Sequence, residues 1–165
     1  GSEMCIRDRN ETTEKDDAMT LTLSIDNVCT LIYARMALDR ALYGDEAAAD
    51  ILCPDRKPAL KHVVAGAFCE LSLGLLTQLE DVRIPEDPTK DDYIEITTTR
   101  EVPTALRRAL EDTLARITLS HVNTDGSRAT RFAAIASKGI AECRRMFETM
   151  CDPPAATSVV AVHYY

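Results

Sequence analysis

The sequence predicts a mainly α-helical domain, like a four-helix bundle, with a short β element, and three observations lead there. Apolar residues recur at steps of three and four through the long stretches, the spacing that lines one face of a helix. Glycines, prolines and short polar runs that stop helices separate those stretches. One segment, YIEITTT, instead alternates with the period of a strand. At 165 residues with 45% hydrophobic content, the chain is long enough for one domain with a genuine core.

Residues 1–9, GSEMCIRDR, read as no capping box, strand or signal peptide. They resemble, residue for residue, one translated frame of the transposon adapter DNA used in sequencing libraries. The expectation is an adapter-derived artefact fused to a reading frame from a fragmented metagenomic assembly, with Met19 as the true start. Arg7 and Arg9 cancel Glu3 and Asp8, so the net charge of −8 belongs to the rest. Residues 10–19 are polar and aperiodic, which predicts a disordered lead-in. The helical domain is expected over residues 20–152 and an extended C-terminal tail over 153–165.

Ser24 is suited to cap a first helix over residues 25–43, with Ile25, Val28, Ile32, Met36 and Leu38 at helical spacing and Gly44 as the stop. Asp45 can cap a short piece, DEAAADIL, that ends before Cys53-Pro54. Helix then restarts with Asp55 as cap and Pro58 in the first turn, where its missing N–H costs nothing. Its stripe of Leu60, Val64, Ala67/Phe68, Leu71, Leu75/Leu76 and Leu79 is the most apolar in the chain, which predicts a central position.

Residues 82–92, with two prolines among acidic residues, read as a surface loop. The strand follows over residues 93–99, with Tyr93, Glu95 and Thr97 alternating against Ile94, Ile96 and Thr98. Its partner is either TLTL at residues 20–23 or the apolar tail, Val159 to Val162. Pro103 opens a third long helix to about Val122, turning Leu106, Leu110, Leu114 and Ile117 inward. NTDGS supplies a turn and a cap at Asp125 or Ser127. The fourth helix sets Phe132, Ile135/Ala136, Gly139/Ile140, Cys143, Met146/Phe147 and Met150 along one seam before Pro153-Pro154 ends it. So short a connection makes the last two helices an antiparallel hairpin.

Composition narrows the function classes. An acidic chain repels a phosphate backbone, so nucleic acid is not the expected partner. No run approaches the roughly 20 apolar residues of a membrane span, and no leader pattern opens the chain, so no membrane partner and a cytosolic setting are expected. Setting Cys5 aside leaves five widely spaced cysteines, a poor disulfide framework. Cys29, Cys69 and Cys143 fall on the apolar stripes, where a thiol acts as a small hydrophobe.

His62, His121 and His163 each have an ordinary explanation; His62 and Cys69 share a helix face but do not make a metal site. No Glu-x-x-His occurs, and Glu46, Glu70, Glu80, Glu111 and Glu142 read as solvated-face residues. The nucleophile-elbow, phosphate-loop and dinucleotide fingerprints are all missing from the sequence. The expectation is a non-enzyme with no catalytic residue, no cofactor and no metal.

Two features are candidates for binding. Arg128, Arg131, Lys138 and Arg145 fall at intervals of three, seven and seven along one edge of the fourth helix's seam. They are a flank covering the core and pairing with acids on a neighbouring helix, or a contact stripe for an acidic partner or DNA. The tail TSVVAVHYY is apolar and aromatic after a double proline, costly to leave in water. It pairs with YIEITTT in its own chain, or it docks on another subunit as an added strand through Val160, Val162, Tyr164 and Tyr165, or the coding sequence is cut short there.

The stretches TLSIDNV, DDYIEITTTREVP, ALRRALEDTLARITLSHVNTDGSRATRFAAIASKGIAECRRMF and HYY together resemble small virion-associated proteins encoded in prophages of gut Bacteroidales. The similarity spans about residues 20–165. That group in turn resembles the helical head–tail connector, or adaptor, proteins of tailed phages. The chain departs from the pattern in lacking tryptophan in the third helix, where ITLSHV stands. The resemblance implies a homo-oligomeric ring beneath the portal, attachment by a C-terminal extension, assembly in the bacterial host cytoplasm and residence in the virion. The alternative is a small helical regulatory or nucleic-acid-binding module using the basic stripe.

Overall fold

The computed structural model describes residues 18–44, 53–75, 77–98 and 100–151. The order is β1 (Met19–Ser24), α1 (Ile25–Tyr43), a single 3-10 turn (Pro54–Arg56), α2 (Lys57–Gly74), β2 (Asp81–Arg83), β3 (Tyr93–Thr98), α3 (Thr104–Val122) and α4 (Gly126–Cys151). The architecture is the one the sequence predicts, four long helices beside a small sheet. The short helical piece expected at 45–52, the adapter-like residues 1–9, the lead-in up to residue 17 and the tail all lie outside the described residues.

Local chemistry sets most boundaries. The Ser24 hydroxyl accepts the Asn27 N–H at 3.2 Å, and Gly44, at φ 65°, closes α1 by donating its N–H to Arg40 O. That left-handed turn is one a residue with a Cβ adopts only under strain. Asp125 caps α4, its Oδ1 accepting the Ser127 N–H at 2.9 Å. At α2 the expectation is corrected: Asp55 lies in the 3-10 turn and makes no side-chain cap, the cap position being Arg56. α2 also ends at Gly74, before Leu79, and Arg144 of α4 covers the freed Gly74 carbonyl at 2.6 Å.

The sheet has the order β1-β3-β2 with antiparallel pairing throughout. β3 takes β1 as partner, Leu21 opposite Ile96 and Leu23 opposite Ile94, so residues 20–23 and not the tail occupy that side. The segment read as pure loop supplies a third strand, Val82 sitting opposite Ile96. Three residues flanked by prolines and acids are too few to show a period of two in sequence. Leu21, Leu23, Ile94 and Ile96 turn into the core against the helices.

The central helix is α3, not α2. It packs on α1, α2, α4 and β1, and Leu106, Leu110, Leu114 and Ile117 are fully buried. Its buried polar groups hide that position from a hydrophobicity reading. Glu111 accepts the Ser24 N–H at 3.3 Å, Thr118 donates to Leu114 O at 2.9 Å, and Thr113 meets Cys143 Sγ at 3.7 Å. α2 keeps most of its stripe, with Leu60, Val64, Ala67, Phe68, Leu71 and Leu75 buried. Cys29 and Cys143 are buried as expected, whereas Cys69 is exposed because it sits one residue, or about 100° of helix, past Phe68. Burial pushes the Cys29 thiol up to about 11.

Two glycines record close helix contacts. A Cβ at Gly139 would stand 2.5 Å from Thr113 Oγ1, and one at Gly74 would stand 2.5 Å from Ile140 Cγ2. Those positions let α4 lie tightly against α3 and the end of α2.

Candidate functional site

The expected inward run of α1 holds through Met36 and fails at Leu38, which is 52% exposed. Leu31, Leu42 and Tyr43 are exposed with it, Leu42 and Tyr43 at 63% each. Successive steps of seven and four place Leu31, Leu38 and Leu42 in one row on α1, beside the edge that faces α3 and α4. Four of the seven large exposed hydrophobic residues among the described residues therefore lie on one helix, three of them in one row.

Two shallow grooves border the row. One, of about 200 Å³, lies between α1 and α3 with Leu31, Leu38 and Leu119 as its apolar wall and Arg35, Asp112 and Arg116 as its charged one. The second, of about 210 Å³, continues from Arg35 and Leu38 to Leu42, Tyr43 and the start of α4, where Arg128, Arg131, Phe132 and Ile135 line it. Arg116 Nε lies 2.8 Å from Asp112 Oδ2, while Arg35 reaches the same carboxylate at 3.9 Å. Arg128 pairs with Asp125 at 3.8 Å and lies over the Tyr43 ring, 5.9 Å from its centroid. Hydrogen bonds, first from the Ser127 hydroxyl and then from backbone N–H groups, hold the Asp125 carboxyl below the usual carboxylate range.

The basic stripe is thus divided by the structure. Arg128 and Arg131 join the α1 face. Lys138 and Arg145 are exposed further along α4, and Arg145 pairs with Glu142 of its own helix at 2.5 Å, not with an acid on a neighbouring helix. Val160, Val162, Tyr164 and Tyr165 lie outside the described residues. Sequence reasoning missed Leu31, Leu38, Leu42 and Tyr43 as a surface. The available signal was the width of the α1 pattern, which carries more apolar positions than one buried stripe can hold.

Elsewhere, charged side chains pair between elements. Asp26, in the first turn of α1, receives Lys57 at 2.6 Å and Lys61 at 3.9 Å, and Lys61 also bonds Asp92. The Lys57 hydrogen bond lowers the Asp26 pKa. His121 meets Glu70 at 2.8 Å with both side chains about half exposed, and His62 is exposed. Among the described residues no three His, Cys, Asp or Glu side chains gather as metal ligands, and no helix is long and apolar enough to cross a membrane.

No family model matches the chain. Searches of curated proteins and of solved structures likewise return no match.

Proposed function

We propose that the chain is a non-enzymatic phage structural protein, a head–tail connector that forms a homo-oligomeric ring and docks through its C-terminal tail on sister subunits or on a portal or tail protein. The observation that carries this reading is the row Leu31, Leu38 and Leu42, with Tyr43 beside its end, exposed next to arginines on an otherwise well-packed domain. Apolar residues gathered on one face and rimmed by charge mark a protein-binding surface. The bordering grooves are smaller than the roughly 300–1,000 Å³ of small-molecule sites, which favours a macromolecular partner over a substrate. The sequence resemblance supplies the phage context, with assembly in the host cytoplasm and residence in the virion.

Sedimentation velocity over a wide concentration range, followed by electron microscopy of the largest species, tests this. Closed rings are expected at high concentration. A monomer at every concentration overturns the reading.

The exposure of Arg131 and Lys138 on one side of α4 favours a second reading, the nucleic-acid-binding module. Fluorescence anisotropy with duplex DNA separates the two. Salt-sensitive binding lost in Arg131→Glu with Lys138→Glu supports the module, and no binding at low salt eliminates it.

A further inference from the structure

We infer that the outer edge of β1, with the start of α3 beside it, is a two-fold docking surface on which β1 of a second copy pairs antiparallel with β1 of the first. The inference goes beyond the connector reading and does not depend on it. A two-fold contact closes at two copies, whereas a ring needs two different faces.

The ladder decides which backbone groups are open. Ile25 donates its N–H to Asp92 O at 2.8 Å, continuing the register in which Leu23 stands opposite Ile94 and Leu21 opposite Ile96. Bonded and non-bonded positions alternate in an antiparallel pair, so Leu21 and Leu23 turn their N–H and C=O groups to β3, while Thr20, Thr22 and Ser24 turn theirs outward. The outward Ser24 N–H reaches Glu111 of α3. No hydrogen bond closes Thr20 or Thr22 on that side among the described residues.

The opposite edge of the sheet is closed. By the same alternation Val82 points out from β2, and Asp81 Oδ1 accepts its N–H at 2.9 Å. Arg83 beside it is held by Asp91 at 2.8 Å and Glu95 at 3.1 Å. A covered edge resists strand addition, and an open one accepts it.

What fits the open edge is the same edge reversed. A two-fold axis at Leu21 sets Thr20 of each copy opposite Thr22 of the other, and each such pair exchanges its N–H and C=O groups. Met19 falls on the same side of the strand as Leu21 and Leu23, yet it is 44% exposed in a single copy. The reversed strand runs past it, with Leu23 of the second copy opposite.

Charge matches in the same register. A groove of about 200 Å³ borders the edge, with Thr20 and Thr22 on one wall and Glu101, Thr104 and Arg107 on the other. Glu101 and Arg107 are exposed and form no ion pair among the described residues. Met19 stands opposite Thr98, at the Glu101 end, while Ser24 meets Glu111, so along β1 the acid comes first and the arginine second. Reversal brings Arg107 of each copy to Glu101 of the other.

Sedimentation velocity of the full chain tests the contact. The wild type should show a two-copy species that grows with concentration. Thr22→Pro removes only an outward N–H, a change that an edge strand accepts, and should abolish that species with circular dichroism unchanged. Glu101→Arg and Arg107→Glu should each weaken it about tenfold or more, since like charges then face one another. Mixed in equal amounts, those two variants should form a heterodimer, because every facing pair is again opposite in sign.

A wild type without a two-copy species, or one that the two charge variants leave at full strength, overturns the inference whether or not Thr22→Pro folds. Failure of the mixed variants to pair overturns it as well.

Discussion

The same substitution made at two helix-interior glycines should change stability in opposite directions. Gly66 lies within α2 and a Cβ there meets nothing within 4 Å. Gly66→Ala should stabilise by about 0.5–1 kcal/mol, the backbone freedom that alanine removes from the unfolded chain. At Gly139 the same gain is opposed by Thr113, whose Oγ1, Cγ2 and Cβ would lie 2.5, 3.1 and 3.3 Å from the new methyl. Rotating Thr113 exchanges one obstructing atom for another, and at 2% exposure it has no open space to enter. Overpacking of this kind costs about 1–3 kcal/mol, leaving Gly139→Ala about 1 kcal/mol less stable than the parent. In a domain of this size each kcal/mol moves Tm by about 2–4 °C, so thermal unfolding should separate the variants clearly. Adding Thr113→Ala to Gly139→Ala should recover much of the loss, and a double-mutant cycle should return a coupling of about 1 kcal/mol. If Gly139→Ala melts above the parent as Gly66→Ala does, the close approach of α3 and α4 is wrong.

Phe68, fully buried on α2, should cost about 3–5 kcal/mol when changed to alanine, and chemical denaturation that finds less than 1 kcal/mol would contradict its place in the core. Iodoacetamide with peptide mapping should modify Cys69 quickly in the native state and spare Cys29, whose thiol is buried and raised to about 11, and Cys143. Asp26, Asp87 and Asp125 all have pKa values lowered by folding, so their stabilisation is present above the unfolded carboxylate value, near pH 4, and is lost as pH falls through their folded values. Asp125→Asn should therefore flatten the acid limb of the stability profile, and an unchanged limb would count against the cap. Deleting residues 1–9 should leave Tm within a degree or two, checked by calorimetry.

What was legible in the sequence was what local chemistry decides. Ser24, Gly44, Pro103 and Asp125 mark helix ends through groups a few residues away, and they stand where the spacing puts them. Ile94 and Ile96 announce a strand because alternation needs only six residues. What failed depends on distant parts of the chain. Leu38 continues a periodic pattern, but whether a neighbour covers it is settled by where α3 and α4 pass. α3 looks less apolar than α2 because Glu111, Thr113 and Thr118 interrupt its stripe, and each is tolerated inside only through a partner that sequence spacing does not reveal. The candidate interface was partly visible: Arg128 and Arg131 were picked out, Arg35 and Arg116 were not, Leu38 was assigned to the core, and Leu31 and Leu42 were passed over.

The pairing of β1 with β3 carries a consequence for how the protein is made. Met19 and Thr98 stand opposite one another although 79 residues apart, and the Thr98 hydroxyl donates to the Met19 carbonyl. Contacts this distant in sequence slow folding, whereas a helical hairpin such as α3–α4 closes through neighbours. During translation β1 emerges early and has no partner until β3 has left the ribosome. Leu21 and Leu23 stay uncovered through that interval, so the nascent chain is at its most aggregation-prone before α3 has been synthesised.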